Sequence, residues 1–165
     1  MTFVEMILSQ WELNRSRTLD LLKRAREATG GDQALSWQPG PGRAPIGWHL
    51  GHIAVTEELF ATARLADRPS DLGPLIERFR GGSVADSNVP TADELERLLE
   101  QTRSNLLQTV ESIEEKDLET VPPALAERQW TVRKSLQILS WHEPQHQGQA
   151  HAVLNLFLND PEQTR

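Results

Sequence analysis

The chain has 165 residues, a formal net charge of −7 and no cysteine. The length predicts a single domain, residues 1–165, large enough to bury a core without disulfides or a metal. The missing cysteines exclude disulfides, thiolate metal sites and a cysteine nucleophile, so any metal ligand must be histidine, carboxylate or water. The acidic charge and the scattered lysines and arginines argue against nucleic-acid binding.

The first five residues, Met1–Glu5, have neither the basic start nor the apolar segment of a signal peptide. No apolar run in the sequence approaches the length of about 18 residues that a membrane-spanning helix needs. We therefore expect a soluble, cytoplasmic protein that does not bind a membrane.

The first predicted element is an amphipathic helix over residues 3–28, because apolar positions recur at spacings of three and four residues. The positions on this face are Val4, Ile7, Leu8, Trp11, Thr18, Leu21, Leu22 and Ala25. Thr29-Gly30-Gly31 is a glycine-rich stop signal. The following stretch, to Ala44, is rich in proline and glycine and is predicted to be a loop with Trp37 as an apolar plug.

The second predicted helix covers residues 45–66. It starts at Pro45, whose missing N–H would have no partner in a first turn. It is apolar on most of its circumference, as expected of a helix that is packed on several sides. His52 shares a face with large apolar side chains, whereas His49 lies about 60° away on the helical wheel. His52 is therefore the stronger candidate for an inward-facing histidine.

Gly47 and Gly51 lack side chains and would let another backbone approach the second helix closely. Residues 67–90 are rich in proline, glycine, aspartate and serine and form a long connection, with a short helix predicted around Leu72–Phe79. A connection of this length either covers a binding site or simply crosses between distant helices.

The third predicted helix covers residues 91–114 and opens with a capping box, in which Thr91 is the N-cap and Glu94 the third helical residue. Its predicted buried face comprises Leu95, Leu99, Thr102, Leu106, Val110 and Ile113. Val121-Pro122-Pro123 then interrupts the chain before a last helix over residues 130–159. Four such helices without a strand pattern predict an all-α four-helix bundle.

His142 and His146 lie one turn apart on the last helix and project from the same face. This face is also the apolar one, and its other members are Ile138, Leu139, Gln149, Ala150, Val153, Leu156 and Phe157. The two histidines therefore point towards the core and could hold one ion together, the alternative being core histidines with hydrogen-bond partners. His151 lies about 180° away and should face solvent.

Pro144, between these histidines, is unfavourable inside a helix because it removes the backbone hydrogen bond to Ser140 and clashes with its carbonyl group. The cost is about 3 kcal/mol or a kink. Such a violation is typical of a functional site, but a tolerated kink would also account for it. Glu57, Glu58 and Glu143 are candidate acid–base groups, although solvated helix positions are the simpler expectation for glutamate.

A histidine on helix two, followed about ninety residues later by His-x3-His and Gly-Gln on the last helix, resembles the DinB/YfiT-like superfamily of metal-binding four-helix bundles. The matching segments are Pro45–His52, Phe79–Ser83 and His142–Gln149. Relatives often have arginine after the last ligand histidine, where this chain has Gln147.

The resemblance implies that one divalent transition metal, zinc, nickel or iron, is bound by the second histidine of the helix-two motif and both histidines of His-x3-His. These residues are His52, His142 and His146, which leaves His49 and His151 outside the ligand set. Each ligand should be oriented by a hydrogen bond from its other ring nitrogen, and Gln149 is the expected partner of His146.

Three histidine ligands leave at least one coordination position open, which is typical of a catalytic metal site. The resemblance implies metal-dependent chemistry with a low-molecular-weight thiol as cosubstrate, as in the thiol transferases and the mycothiol-dependent maleylpyruvate isomerase of the family. Hydrolysis of a small electrophile is a related possibility. The helix-two motif also resembles the metal-binding domain of ergothioneine-forming sulfoxide synthases, but these need a second catalytic domain that is not evident in this sequence.

The alternative is a non-catalytic metal-binding or stress-response protein, in which the ion ties helices two and four together. Under the enzyme hypothesis, the partner is a small-molecule substrate. Relatives commonly form homodimers through helix faces, so the resemblance also implies a homodimer.

Overall fold

The computed structural model describes residues 1–29 and 31–163, and every regular element in these ranges is helical. The α-helices are α1 (Phe3–Thr29), α2 (Gln33–Ser36), α3 (Ile46–Leu59), α4 (Gly73–Phe79), α5 (Ala92–Glu111) and α6 (Val132–Leu158). A π-helical turn, Phe60–Arg64, continues α3, and two 3-10 turns, Glu115–Asp117 and Pro123–Arg128, connect α5 to α6. The four long helices confirm the predicted all-α bundle.

The helix boundaries differ from the predicted ones in a few places. The second helix changes from α to π geometry at Phe60, and α5 ends at Glu111 rather than Glu114. The short helix α2 lies in a stretch predicted to be loop. Gly30, part of the predicted stop signal, lies outside the described residues. The capping box is confirmed, since Glu94 N–H donates to Thr91 Oγ1 and the Glu94 carboxylate accepts from Thr91 N–H.

Each long helix passes through two apolar clusters that are separated by a polar layer. The first cluster includes Leu22 of α1, Leu50 of α3, Leu99 of α5 and Leu154 of α6. The second includes Trp11 of α1, Phe60 after α3, Leu106 of α5 and Leu136 of α6. Because α3 and α5 pass from the first cluster to the second, whereas α1 and α6 pass in the opposite order, α3 and α5 run antiparallel to α1 and α6. The chain after α3 must therefore return along the bundle before α5 begins.

The segment between α3 and α5, which we call the crossover segment, makes this return and packs on α3. Phe79, at the end of α4, is 1% exposed and forms a satellite apolar cluster with Trp48 and Val55, against which Val89 packs. A Cβ atom added at Gly51 would lie 2.7 Å from the Phe79 ring, and one at Gly47 would lie 2.7 Å from the Val89 side chain. Gly47 also admits another backbone, as predicted, since its added Cβ would lie 3.1 Å from the Leu35 carbonyl oxygen, whereas Gly51 admits the Phe79 ring.

The polar layer is a closed ring of four ionised side chains, one from each long helix. Arg15 Nη2 lies 2.9 Å from Glu57 Oε2, and Arg15 Nε lies 2.8 Å from Glu143 Oε1. Arg103 pairs with both carboxylates from the other side and lies 2.6 Å from Glu143 Oε2. Burial opposes ionisation of Glu57, but the charges of Arg15 and Arg103 outweigh that effect and lower its pKa.

The buried positions of Glu57, Glu58 and Glu143 correct the expectation that these glutamates are solvated. Glu57 is 3% exposed, and Glu58 and Glu143 are each 2% exposed. Glu58 accepts hydrogen bonds from Ser70 Oγ at 2.6 Å and from Asn105 Nδ2 at 2.8 Å. Carboxylates can be buried when charged or hydrogen-bonding partners replace water, and here the partners come from other elements, where the pattern of a single helix does not show them.

Along α6, Leu156 is 56% exposed, although the helical wheel placed it on the inward face. Trp37 is confirmed as an apolar plug, because its ring lies 5.6 Å from that of Phe157.

Within residues 1–29 and 31–163, no helix combines the length and the apolar character needed to cross a membrane.

Pro144 lies inside α6 without ending the helix. Its missing N–H would leave the Ser140 carbonyl group without its usual helical donor. Asn14 of α1, which is 5% exposed, supplies the replacement, because its Nδ2 donates to Ser140 O at 3.0 Å. The proline thus opens a bonding position on α6 that α1 occupies.

Replacement of Asn14 by alanine should therefore cost about 1–2 kcal/mol in the free energy of unfolding, because it leaves a partly buried carbonyl group without a donor. In a Pro144→Ala background, the restored N–H of residue 144 can bond to Ser140, so the same Asn14→Ala change should cost about 1 kcal/mol less. Urea unfolding of the four proteins of this double-mutant cycle measures the coupling. Equal losses in both backgrounds would contradict the assigned role of Asn14.

Candidate metal centre

The structure brings together the three histidines that the sequence singled out. His52 of α3 and His142 and His146 of α6 each offer one nitrogen, and these atoms lie within 4.8 Å of one another. Nε2 of His52 lies 3.1 Å from Nε2 of His142. His52 is 8% exposed and the other two are half-buried. Helices that are ninety residues apart in the chain therefore present one compact set of imidazoles.

His52 is oriented by the segment that returns over α3. Its Nδ1 lies 2.7 Å from the carbonyl oxygen of Phe79, an acceptor, so Nδ1 carries the proton and Nε2 has a free lone pair. The Trp48 indole stacks on the His52 imidazole, with the ring centres 4.9 Å apart and the planes 8° apart. Phe79 reaches this position because Gly51 leaves room for its ring. The tautomer of His52 thus depends on the packing of the crossover segment.

His146 has two polar neighbours. The Gln149 side chain is near enough to favour the protonated form of His146, and His49 Nδ1 lies 3.2 Å from His146 Nδ1. His49 is 7% exposed. It adjoins the cluster from the side of α3 but does not belong to the three-histidine group. His151 is only partly exposed, although it was expected to face solvent, and it too lies outside the group.

The histidines in and beside the cluster are held in their neutral form. Burial, followed by the neighbouring histidines, lowers the pKa of His146 to about 3. Burial and the proximity of His52 lower the pKa of His142 to about 4, and the same two causes lower that of His49 to about 4. Burial also lowers the pKa of His52, against the hydrogen bond to Phe79. Neutral imidazole is the form that binds a metal.

The donor set fits a divalent transition metal. In a tetrahedral zinc site with Zn–N distances of about 2.0–2.1 Å, two ligand nitrogens are about 3.3 Å apart. The separation of 3.1 Å between Nε2 of His52 and Nε2 of His142 is close to that value. Imidazole nitrogens suit zinc, nickel and iron. The residues present are therefore able to hold such an ion.

The cluster opens into a cavity of about 620 Å³, whose wall includes His52 and His142. The crossover segment contributes Ile76, Glu77, Arg80 and Gly81 to this wall, α6 contributes Ile138 and Trp141, and the remainder comes from Thr56, Leu59, Phe60, Arg64, Arg128 and Trp130. The segment predicted either to cover a site or only to cross between helices thus forms one side of a cavity at the histidines.

Sequence reasoning did not identify the three arginines of this cavity. Arg64 lies in the π turn after α3, Arg80 follows α4, and Arg128 ends a 3-10 turn. No helical spacing relates these positions, so their proximity arises only from the tertiary fold. For Glu57 and Glu58 a signal did exist, because a glutamate on a helix that is packed on several sides requires a buried partner.

An all-α bundle whose helices α3 and α6 bring three histidines together, two of them in the wall of one cavity, defines a helical protein with a candidate metal centre. A sequence model of the DinB superfamily matches residues 10–150, and the chain belongs to that superfamily. The matched range contains the three histidines and all four members of the ionic ring. A comparison with curated proteins gave no match.

The lowered histidine pKa values predict how stability depends on pH in the metal-free protein. Between pH 6.5 and about 4, His49 takes up a proton in the unfolded chain but not in the folded one, so stability must fall as pH falls. His49→Gln should lower the proton uptake on unfolding by up to about one proton at pH 5. Urea unfolding measured from pH 7 to pH 4.5 gives this uptake as a slope.

Gln145→Ala, at an exposed position of α6, is the matched control, since it removes no titratable group. Its slope should stay close to that of the unaltered protein. A slope in His49→Gln that equals the control would show that His49 is protonated alike in the folded and unfolded states.

Proposed function

We propose that His52, His142 and His146 bind one divalent transition metal and that the protein is a metal-dependent enzyme acting on a small molecule. The reaction is transfer of a low-molecular-weight thiol or hydrolysis of a small electrophile. The observation that carries the proposal is the cavity at the cluster, because a structural ion would instead be sealed by apolar side chains. Membership of the DinB superfamily supports it.

Each part of the site has a role in this proposal. His52 offers Nε2 because the Phe79 carbonyl group holds its Nδ1 proton, and Gln149 would orient His146. When bound, a divalent ion would polarise a substrate group or make a bound thiol or water more acidic. The cavity walls exclude part of the solvent and position the substrate.

One observation favours a second candidate function, a non-catalytic protein in which the ion ties α3 and α6 together. Glu57 and Glu143, the carboxylates nearest to the histidines in sequence, are both engaged by two arginines. Neither is free to act as a general base. An enzyme would therefore need a proton acceptor other than these two glutamates.

The ligand set predicts the metal content of variants. The purified protein should carry about one zinc, nickel or iron ion per chain, and His146→Ala should lose most of it, because two remaining histidines bind such ions far more weakly. Elemental analysis measures the content, and circular dichroism verifies that the variant remains helical. His151→Gln should retain the full content. Unchanged metal in His146→Ala would overturn the assignment.

Removal of the ion distinguishes the two functions. In an enzyme, the metal-free protein should still melt cooperatively, because the apolar clusters and the ionic ring do not contain the ion. The loss should be that of a bound ligand, about 2.7 kcal/mol when the free metal had been at 100 times its Kd. Thermal melts with and without chelator measure this difference.

A screen for consumption of several low-molecular-weight thiols with a panel of electrophiles completes the test. The enzyme hypothesis expects metal-dependent consumption of at least one thiol. If chelation unfolds the protein and no thiol is consumed, the ion is structural and the enzyme hypothesis is wrong.

A further inference from the structure

The cavity at the histidines is positively charged, although the protein as a whole has a net charge of −7. It is lined by Arg64, Arg80 and Arg128 and by a single carboxylate, Glu77. Glu77 is already paired, because its Oε2 lies 2.8 Å from Arg80 Nε. Among the described residues, no carboxylate lies within ion-pair distance of Arg64 or Arg128. Two cationic charges of the cavity therefore remain without an anionic partner.

Arg64 is held in place rather than extended into solvent. Its guanidinium carbon lies 4.5 Å from the centre of the Phe60 ring, and the residue is half-buried. Burial and then the nearby Arg128 lower its pKa, so the two cations lie close enough to repel each other. Arg64 and His142 lie in the wall of the same cavity. A fold that keeps two like charges together beside the histidines leaves an anion as their natural counterpart.

The backbone presents Arg64 in an unusual way. The turn that carries it, Phe60–Arg64, is π-helical and follows directly on α3, and π-helical turns are rare in proteins. Arg128 comes from a different element, and its guanidinium carbon lies 4.9 Å from the centre of the Trp130 ring. Two unrelated segments thus converge to place cations at one opening.

The rest of the cavity rim is aromatic. Trp130 is half-buried, and Trp141, which directly precedes His142, is 62% exposed. An exposed tryptophan beside a cavity offers a large apolar surface to a ligand. The two arginines would recognise a charged group, whereas the indoles would contact an apolar body.

We infer that this cavity binds an organic anion, whose carboxylate or phosphate group pairs with Arg64 and Arg128 and whose apolar body lies along Trp130 and Trp141. This inference rests on the proposed function, in which the same molecule is the substrate of the metal centre. Guanidinium groups form paired, charge-assisted hydrogen bonds with both carboxylate and phosphate. Arg64 and Arg128 are thus specificity-determining residues.

Calorimetric titration with three probes of similar shape tests the inference. The probes are 3-phenylpropanoate, phenyl phosphate and the neutral 3-phenylpropanamide. The protein should bind at least one anion about tenfold or more tightly than the amide, and the preferred anion identifies the charged group. Equal affinity for all three probes, or no binding of either anion, would overturn the inference.

Variants connect the preference to the arginines. Arg64→Met should weaken binding of the anion by about tenfold or more, and Arg64→Lys by less, because a charge remains without the planar fork. Arg24→Met, at an exposed position of α1, is the matched control and should leave the affinity unchanged. Arg128→Met, in a separate element, should repeat the loss and serves as the test if Arg64→Met does not fold.

The same samples separate this inference from the proposed function. Each titration is made on metal-loaded and chelator-treated protein, and the metal content is measured in every variant. If Arg64→Met holds the normal amount of metal and binds the anion as tightly as the unaltered protein, the inference is wrong while the metal centre stands. If no form binds metal but the anion preference is lost in Arg64→Met, the proposed function fails and the anion site stands.

Discussion

A ring of two guanidinium groups and two carboxylates in the middle of the bundle sets the relative positions of the four long helices. Arg15, Glu57, Arg103 and Glu143 come from α1, α3, α5 and α6 in turn, and each contacts both of its neighbours of opposite charge. A buried charge that loses its partner costs several kcal/mol. A helix that shifted by one turn would leave a charged side chain of the ring without its partner. Apolar clusters tolerate such shifts better than paired ions do, because burial is non-directional.

The register that closes the ring also assembles the histidines. Glu143 directly follows His142, and Glu57 lies little more than one helical turn after His52. Once these two carboxylates share the same arginines, α3 and α6 are fixed side by side with their imidazoles facing each other, as the Nε2 separation of 3.1 Å shows. The ring therefore positions the candidate centre while taking no part in it. Its charges are compensated internally, whereas Arg64 and Arg128, for which the described residues offer no carboxylate partner, lie in the wall of the cavity beside the histidines.

The parts of the site that follow from one helix at a time were predictable from the sequence. His142 and His146 share a face by their spacing, and His52 is the histidine of α3 that lies with large apolar residues. Glu57 and Glu143 were wrongly expected to be solvated, because their partners, Arg15 and Arg103, lie on other helices. The same limit applied to Asn14, whose role depends on a carbonyl group that Pro144 leaves free. Periodicity gives the direction of a side chain but not the partner that it meets.

The order of the helices along the chain has a consequence for how the centre forms in time. A protein made from its N-terminus exposes His52 long before α6 has been synthesised, and the ring likewise lacks Glu143 until then. In any partial chain that ends before α6, the imidazole cluster cannot form and the ionic ring cannot close. Under the proposed function, an ion could therefore bind through all three histidines only after α6 has joined the other helices.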